Sequence, residues 1–321
     1  MEELSLVAIF LFVLFLLLGT GVWVGLALLG VAYVGMELFT GRPVGPAMIT
    51  TIWATSSSWT LTALPLFIWM GEILYRTRLS EDMFAGLAPW LRRLPGGLIH
   101  SNILGCTVFA AVSGSSAATL TTVGKMSIPE LRRREYPEHM VIGTLAGAAT
   151  LGLMVPPSLI LIVYGVTINE SISKLFIAGV LPGLVLAFMF MGYAALYASF
   201  ARDWNPKREA AMGWRERLDS IRLLLPVLLL VLFVIGSMYL GFATATEAAA
   251  FGVTGALVLA WSQGALDWRS FRASLMGAVH TSAMVALILA GAAFLTLAMG
   301  FTGLPRALAG WIADLELSRF A

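Results

Sequence analysis

The sequence predicts an all-α polytopic membrane protein, and three of its features lead to that fold class. Of its 321 residues, 59% are hydrophobic and only 12% are charged, whereas soluble domains average about 45–50% apolar and about 25% charged residues. Apolar runs of about 20 residues, the length at which a helix crosses a bilayer, recur along the chain. Loops rich in Lys and Arg separate these runs, as is typical of the cytoplasmic side of a membrane.

The same composition excludes several classes of function. Cys106 is the only cysteine, which excludes an internal disulfide and a Cys-based zinc or iron–sulfur site. His100, His139 and His280 are far apart in sequence and form no metal-ligand pair. The net charge of +2 gives no reason to expect a nucleic-acid partner. The sequence also lacks a nucleophile–base pair and a Gly-rich ATP-binding loop, so it does not predict an enzyme.

The first two apolar segments, residues 4–18 and 22–39, predict a transmembrane hairpin. Residues 4–18 resemble the apolar core of a signal peptide, but they follow Glu2 and Glu3 instead of basic residues, and no small-residue cleavage site comes after them. An acidic N-terminus without Lys or Arg favours the outer side of the membrane. We therefore expect a periplasmic N-terminus.

The basic residues set the topology of the apolar segment 98–123. Arg92 and Arg93 precede this segment, and Lys125 and Arg132 follow it. Because basic clusters favour the cytoplasm, the segment must enter and leave the membrane on the same side, which predicts a re-entrant helical hairpin. Further spans are predicted at 61–75, 139–166, 175–200, 223–240, 246–261 and 275–299.

Two amphipathic segments are predicted to lie in the membrane interface instead of crossing it. Residues 80–94 and 305–317 each carry a tryptophan beside charged residues, as is typical of interfacial helices. Residues 201–222 are polar and basic, so they predict a cytoplasmic loop.

Small polar residues interrupt the apolar segment 98–123 at its middle. The sequence there is FAAVSGSSAAT, residues 109–119. If the chain reverses at this point, backbone groups lose their helical partners, and such groups survive at membrane depth only inside protein or beside a cavity. Serine hydroxyls and free carbonyls suit a small cation, whereas exposed helix N-termini favour an anion. Close helix packing through small residues is the alternative interpretation.

A second interruption is predicted where Pro156 and Pro157 follow Gly152 within an apolar stretch. Neither proline has an N–H to donate, and Pro157 disfavours the α conformation at Pro156. The carbonyls around Gly152 to Val155 therefore lose their helical donors. A simple proline kink is the alternative, but Gly/Pro-interrupted hydrophobic segments are the best sequence indication of a transporter's binding site.

Two acids within the apolar segments have structural explanations. Glu72 lies four residues before Arg76, the spacing of an ion pair along a helix. Glu247 follows Thr244 by three residues, the spacing of a capping box at a helix start. We therefore expect both acids to stabilise helices. No other acid lies deep in an apolar segment to act as a proton relay. This favours a cation that is held by neutral oxygens.

These motifs resemble the large membrane subunit of TRAP (tripartite ATP-independent periplasmic) transporters, a family called DctM-like. The resemblance rests on FAAVSGSSAAT at 109–119 and on GTLAGAATLGLMVPPS at 143–158, with PLFI at 65–68, GE at 71–72 and ATEAAA at 245–250 in support. It extends over the whole chain. The family resemblance implies a sodium-coupled importer of organic acids in the bacterial inner membrane, of the C4-dicarboxylate or sialic-acid class.

The resemblance also implies partners and site residues. The partners are a small four-helix membrane subunit, a periplasmic substrate-binding protein, the organic-acid substrate and the lipid bilayer. The implied sodium ligands are Ser113, Ser115, Gly152, Val155 and Pro157, the last three through backbone carbonyls. Ser116 and Ser158 are implied to face the substrate.

In fold, the resemblance implies an inverted-repeat transporter that works by an elevator movement of a transport domain against a scaffold. The expected regions are N-terminal scaffold helices (1–78), an interfacial arm helix (79–97), the hairpin and broken helix of the transport domain (98–166), connecting helices with the loop 201–222 (167–274), and the start of a second repeat (275–321). LPRALAG at 304–310 resembles LSEDMFAG at 79–86, so a second repeat is expected to begin there. The second hairpin and broken helix do not follow in the sequence, so this repeat is expected to be incomplete. We expect a C-terminally shortened chain.

Two other classes remain as alternatives. One is a sodium/dicarboxylate carrier with a related hairpin but no binding protein. The other is a non-transporting membrane scaffold, in which the serines are packing residues and the prolines are kinks.

Overall fold

The computed structural model describes residues 2–77, 79–91, 94–201, 214–306 and 309–310, and these residues form helices and no strand. The α-helices are α1 (Glu2–Gly19), α2 (Val24–Phe39), α3 (Val44–Ser56), α4 (Ala63–Arg76), α5 (Leu79–Leu91), α6 (Ile99–Ser113), α7 (Ser116–Arg133), α8 (Glu138–Ala149), α9 (Leu159–Ile168), α10 (Ile172–Phe200), α11 (Trp214–Tyr239), α12 (Ala245–Ser262) and α13 (Trp268–Thr302). Short 3-10 helices cover Trp59–Thr62 and Thr150–Leu153.

Four of the described helices are long and apolar enough to cross a bilayer. They are α10, the part of α11 from Ser220 to Tyr239, α12 and α13. Shorter apolar helices cover Ser5–Gly19, Val24–Phe39, Ile99–Ala111 and Leu159–Ile168. The predicted all-α, multi-pass membrane fold is therefore confirmed.

Two helices begin earlier than the apolar runs that predicted them. α11 begins at Trp214, so residues 214–222 are helical although they lie in the predicted loop 201–222. α13 begins at Trp268, before the predicted span 275–299, and the Asp267 carboxylate accepts the Ser270 backbone N–H at 2.7 Å. Helical hydrogen bonds are local, so a helix continues past the end of its apolar run when its polar turns stay solvated.

Several expectations fall outside the described residues. These are the positions Arg92 and Arg93, the loop residues 202–213, and residues 311–317 of the second predicted interfacial helix. The first interfacial segment, predicted at 80–94, coincides with helix α5.

One compact unit consists of Met1–Trp59 and Thr281–Ala321. Its apolar core joins α2, α3 and the last part of α13 through buried residues such as Met36 and Phe294. Close approach of α2 and α13 requires glycine, because a Cβ at Gly291 would lie 2.6 Å from the Gly25 carbonyl oxygen. Leu6 and Phe10 of α1 pack in a second cluster of this unit.

The other unit, Thr60–His280, is centred on α6. Fully buried Ile99, Ile103 and Cys106 of α6 pack with apolar side chains from α7, α8 and α10. Polar contacts join the outer helices, since the indole N–H of Trp69 donates to the Ser274 hydroxyl at 3.3 Å. This unit contains the hairpin and the broken helix.

The structural roles predicted for two acids are confirmed. Glu72 pairs with Arg76 at 3.0 Å within α4. Thr244 and Glu247 form a complete capping box at the start of α12, in which each side chain accepts the other residue's backbone N–H.

Candidate functional site

The apolar segment 98–123 folds as a helical hairpin, as its Ser/Gly cluster predicts. α6 ends at Ser113, and Gly114 follows in the left-handed conformation (φ +58°), which glycine adopts without steric cost. The Gly114 N–H donates to the Ala110 carbonyl at 2.9 Å. Ser115 is the N-cap of α7, since its hydroxyl accepts the Ala118 N–H at 3.4 Å. Residues 113–116 are called the hairpin turn below.

A hydrogen bond between side chains joins the two helices beside this turn. The hydroxyls of Ser113 and Thr119 are 2.9 Å apart, and both residues are buried. The Ser113 hydroxyl also receives the Ser115 N–H at 3.4 Å. The buried Ser116 hydroxyl has no hydrogen-bond partner within the described part of the chain. The turn therefore presents serine hydroxyls, two of which, those of Ser113 and Ser116, are buried.

The predicted second interruption is also present. α8 ends at Ala149, the 3-10 helix ends at Leu153, and α9 begins only at Leu159. The Pro156–Pro157 peptide bond is cis. Residues 150–158 are called the broken segment below.

Some polar groups of the broken segment find local partners. The Met154 and Val155 N–H groups both donate to the Leu151 carbonyl, at 3.0 and 2.8 Å. The fully buried Ser158 hydroxyl donates to the Leu153 carbonyl at 2.7 Å. These bonds fix the course of the chain between the 3-10 helix and α9.

Five other carbonyls of the broken segment, those of Gly152, Met154, Val155, Pro156 and Pro157, accept no backbone hydrogen bond from the described residues. The three implied sodium ligands of this segment, Gly152, Val155 and Pro157, are among them. Gly152 and Pro157 are buried, and Val155 is partly buried. Buried carbonyls are normally paired, so unpaired carbonyls this close together in sequence indicate a ligand or water.

The hairpin turn and the broken segment touch each other through backbone atoms. The Leu159 N–H points at the Gly114 carbonyl at 3.5 Å. A Cβ at Gly152 would lie 3.2 Å from both the Ser115 carbonyl carbon and the Ser116 nitrogen. A Cβ at Gly114 would lie 3.0 Å from the Pro157 oxygen. The structure thus brings the hairpin turn, with the serines at 113, 115 and 116, beside the broken-segment positions 152 and 157 and the start of α9 after Ser158. Val155 lies between these contact points in sequence.

Four helix ends meet at this contact, and they carry opposite partial charges. The C-terminal ends of α6 and of the 3-10 helix contribute carbonyls, which favour a cation. The N-terminal ends of α7 and α9 contribute N–H groups, which favour an anion. Ser116 and Ser158 stand at these two N-terminal ends, so one small region offers both kinds of ion a binding surface.

Thr119 belongs to the site, although the sequence did not single it out. It is fully buried, and its hydroxyl bonds to Ser113. The available signal was its position one turn after the N-cap Ser115, because polar residues on either side of a tight turn face each other in an antiparallel hairpin.

Comparison with known proteins identifies the family. The profile of the family described as "Tripartite ATP-independent periplasmic transporter, DctM component" matches residues 11–321. The C4-dicarboxylate TRAP transporter large permease protein DctM of Pseudomonas aeruginosa is 32% identical over 272 residues, which are 83% of this chain and 62% of that protein.

Two further relatives are about equally similar. The isethionate TRAP transporter permease protein DctMQ of Oleidesulfovibrio alaskensis is 30% identical over 97% of this chain and 48% of its own length. The sialic acid TRAP transporter large permease protein SiaM of Vibrio cholerae is 30% identical over 87% of this chain and 69% of its own length. The chain spans less than two thirds of the Pseudomonas protein's length. It belongs to the DctM family of TRAP transporter large permease subunits.

Proposed function

We propose that this chain is the large membrane subunit of a sodium-coupled secondary transporter of the TRAP type, which imports organic acids across the bacterial inner membrane. The single observation that carries this proposal is the contact between the hairpin turn and the broken segment. Interrupted helices that meet inside an apolar domain are the usual form of a secondary transporter's binding site.

Sodium is the ion that we assign to the carbonyl-rich side of this contact. The carbonyl oxygens of Gly152, Val155 and Pro157 accept no backbone hydrogen bond among the described residues, and the hydroxyls of Ser113 and Ser115 lie in the adjoining turn. These five groups are neutral oxygens, a donor set that binds hard cations. A singly charged ion avoids the desolvation cost of a divalent one, which favours Na⁺ here.

The organic acid is assigned to the N-terminal ends of α7 and α9, where Ser116 and Ser158 lie. Backbone N–H groups at a helix N-terminus favour a carboxylate. The relatives are named for C4-dicarboxylates, isethionate and sialic acid, each of which carries a carboxylate or a sulfonate. An organic acid of the C4-dicarboxylate or sialic-acid class is therefore the proposed substrate.

The proposed transport cycle is an elevator movement in which the hairpin turn and the broken segment travel together. Their backbone contacts support this idea, because separate movement would break the packing at Gly114 and Gly152. The proposal also places the N-terminus in the periplasm, as its acidic residues led us to expect. A sodium ion bound between the two segments would complete the site before the domain moves.

Two protein partners belong to the proposal. The matching family is described as one component of a tripartite transporter, and the Oleidesulfovibrio relative is named DctMQ. We infer a small four-helix membrane subunit and a periplasmic protein that captures the substrate.

Uptake into proteoliposomes tests the proposed function. The chain is reconstituted with a TRAP small membrane subunit and a periplasmic binding protein from the same organism, and uptake of labelled succinate, malate or sialic acid is followed. We expect uptake that requires an inward Na⁺ gradient, the binding protein and the small subunit together. A K⁺ gradient of equal size is the control.

Other outcomes separate the alternatives. Sodium-driven uptake without the binding protein would support a carrier of the one-component type. The absence of uptake, together with a melting temperature that does not respond to Na⁺, would support a non-transporting scaffold.

A further inference from the structure

Helix α10 passes directly against the broken segment at two glycines. A Cβ at Gly179 would lie 2.7 Å from the Met154 carbonyl oxygen, and a Cβ at Gly183 would lie 2.9 Å from Cγ2 of Val155. Both glycines are buried. Contacts of a side-chain carbon this short do not occur without movement of one partner. At Gly179 that partner is the backbone of the broken segment, and at Gly183 it is the Val155 side chain.

The requirement for glycine is specific to these two positions of α10. Gly192 lies on the same helix, is exposed, and has no atom within 4 Å of the place where its Cβ would stand. General tolerance of glycine in membrane helices therefore does not explain Gly179 and Gly183.

The broken segment is consequently held from two directions. The hairpin turn contacts it at Gly152, where a Cβ would approach backbone atoms of Ser115 and Ser116 at 3.2 Å. α10 contacts it at the next residues along the chain, Met154 and Val155. Met154 and Val155 therefore lie between a contact with the hairpin turn at Gly152 and a contact with α10, so a shift of either residue away from α10 moves the Val155 carbonyl relative to the hairpin turn.

We propose that Gly179 and Gly183 are positioning residues for the cation site. They allow α10 to hold Met154 and Val155 at the distance from the hairpin turn at which the Val155 carbonyl and the serine oxygens reach one ion. This inference rests on the proposed function, because it assigns a role in sodium binding. Binding geometries must be held within about 0.5 Å to function. A Cβ at Gly179 would press on the Met154 carbonyl directly, and a Cβ at Gly183 would press on Val155 through its side chain.

The two glycines differ in what opposes a Cβ, and this difference gives a test by rescue. At Gly183 the obstacle is the Val155 side chain, which a smaller residue removes. At Gly179 the obstacle is the backbone oxygen of Met154, which no substitution at Met154 removes. Val155→Ala should therefore relieve Gly183→Ala and should leave the effect of Gly179→Ala in place.

The experiment is a sodium titration of the melting temperature of the purified protein in lipid nanodiscs, with KCl replacing NaCl at constant ionic strength. The variants are Gly179→Ala, Gly183→Ala and the control Gly192→Ala, followed by Val155→Ala alone and combined with each of the first two. The sodium concentration of half-maximal stabilisation is the quantity compared. The melting temperature in KCl alone reports on general packing.

We expect Gly179→Ala and Gly183→Ala to raise the half-maximal sodium concentration by about 10- to 100-fold, the usual effect of losing support behind a metal ligand. Gly192→Ala should match the wild type. The Val155→Ala/Gly183→Ala protein should have the same half-maximal sodium concentration as Val155→Ala. The Val155→Ala/Gly179→Ala protein should still bind sodium weakly. A purely structural role would lower the melting temperature in KCl and leave the half-maximal sodium concentration unchanged.

Each failure has its own signature. If the wild type responds to Na⁺ and both glycine variants respond at the same concentration, the positioning role is wrong while the proposed function stands. If the wild type does not respond to Na⁺, the proposed sodium site fails and the positioning role fails with it. If Gly179→Ala does not fold, Gly183→Ala and its rescue by Val155→Ala decide the matter.

Discussion

The hairpin turn and the broken segment both interrupt an apolar helix, but they leave different polar groups available. At the hairpin turn, Gly114 closes a backbone hydrogen bond to Ala110 and Ser115 caps the next helix, so the turn supplies mainly hydroxyls and N–H groups. In the broken segment, the prolines have no N–H to donate, and the carbonyls of Gly152 and Val155 accept no backbone bond among the described residues. In the proposed function, the glycine–serine turn and the proline break supply complementary halves of one ion site.

The largest effect is expected from forcing the two segments apart. Gly152→Val places a branched side chain against the Ser115 and Ser116 backbone, where even a single Cβ would lie at 3.2 Å. Overpacking costs about 1–3 kcal/mol and occasionally more, and the high end applies here because the opposing atoms are backbone and cannot rotate away. We expect a lower melting temperature and the loss of stabilisation by Na⁺, measured by thermal unfolding in NaCl and in KCl.

Gly143→Val is the matched control for this prediction. Gly143 lies on α8, is exposed, and has no atom within 4 Å of its Cβ position. A Gly143→Val protein that keeps its sodium response assigns the effect to contact between the segments. Equal loss of the stabilisation by Na⁺ in Gly152→Val and Gly143→Val would contradict that assignment.

A smaller effect is expected within the hairpin turn, at the hydrogen bond between Ser113 and Thr119. Ser113→Ala leaves the buried Thr119 hydroxyl without this partner, which costs about 1–3 kcal/mol. Thr119→Val removes the other half of the pair. We expect the double variant to lose less free energy of unfolding than the sum of the two single variants, because neither polar group is then left alone.

Denaturant unfolding of the four proteins measures this coupling. Additive losses, within about 0.3–0.5 kcal/mol, would show that the two hydroxyls do not support each other. Non-additive losses of free energy, together with a weaker stabilisation by Na⁺, would show that Thr119 orients the predicted ligand Ser113.

The smallest effect is expected at an ordinary helix start, which serves as a reference for the capped start of α7. Side-chain and backbone hydrogen bonds from Ser270 hold the pKa of the Asp267 carboxyl below its usual range. The folded state therefore binds this proton less readily than the unfolded state, so the stabilisation is present at neutral pH and disappears as the pH falls through the lowered pKa.

Amide hydrogen exchange at the start of α13 measures this effect. We expect the protection factor there, which is the intrinsic exchange rate divided by the observed rate, to fall at acidic pH in the wild type, below the usual Asp pKa of about 3.9. In Asp267→Asn, the protection of these amides should not change with pH, because the side chain does not titrate. A wild-type helix start that is equally protected at both pH values would contradict the capping role.

The sequence predicted the elements whose cause is local. Pro156 and Pro157 lack N–H groups wherever they lie, so the sequence alone predicted a disturbance of the helix there, and the structure shows that it is an interruption instead of a simple kink. Glu72 with Arg76 and Thr244 with Glu247 follow from helical spacing alone, and both pairs are present.

Features that depend on contacts between distant segments could not be predicted from local spacing. Gly179 and Gly183 occupy an apolar helix in which glycine is common, and only their contact with Met154 and Val155 distinguishes them from Gly192. The start of α11 at Trp214 was missed because an apolar run marks where a helix is buried, not where it begins.

Amide hydrogen exchange in NaCl and in KCl of equal ionic strength tests the central claim most directly, namely that one sodium ion joins the hairpin turn and the broken segment. Peptides covering residues 108–121 and 149–162 are followed together with peptides from α12 as a reference. We predict slower exchange in NaCl that is confined to the first two regions and appears in both at the same sodium concentration. Unchanged exchange in both regions, or protection in only one of them, would contradict a shared sodium site.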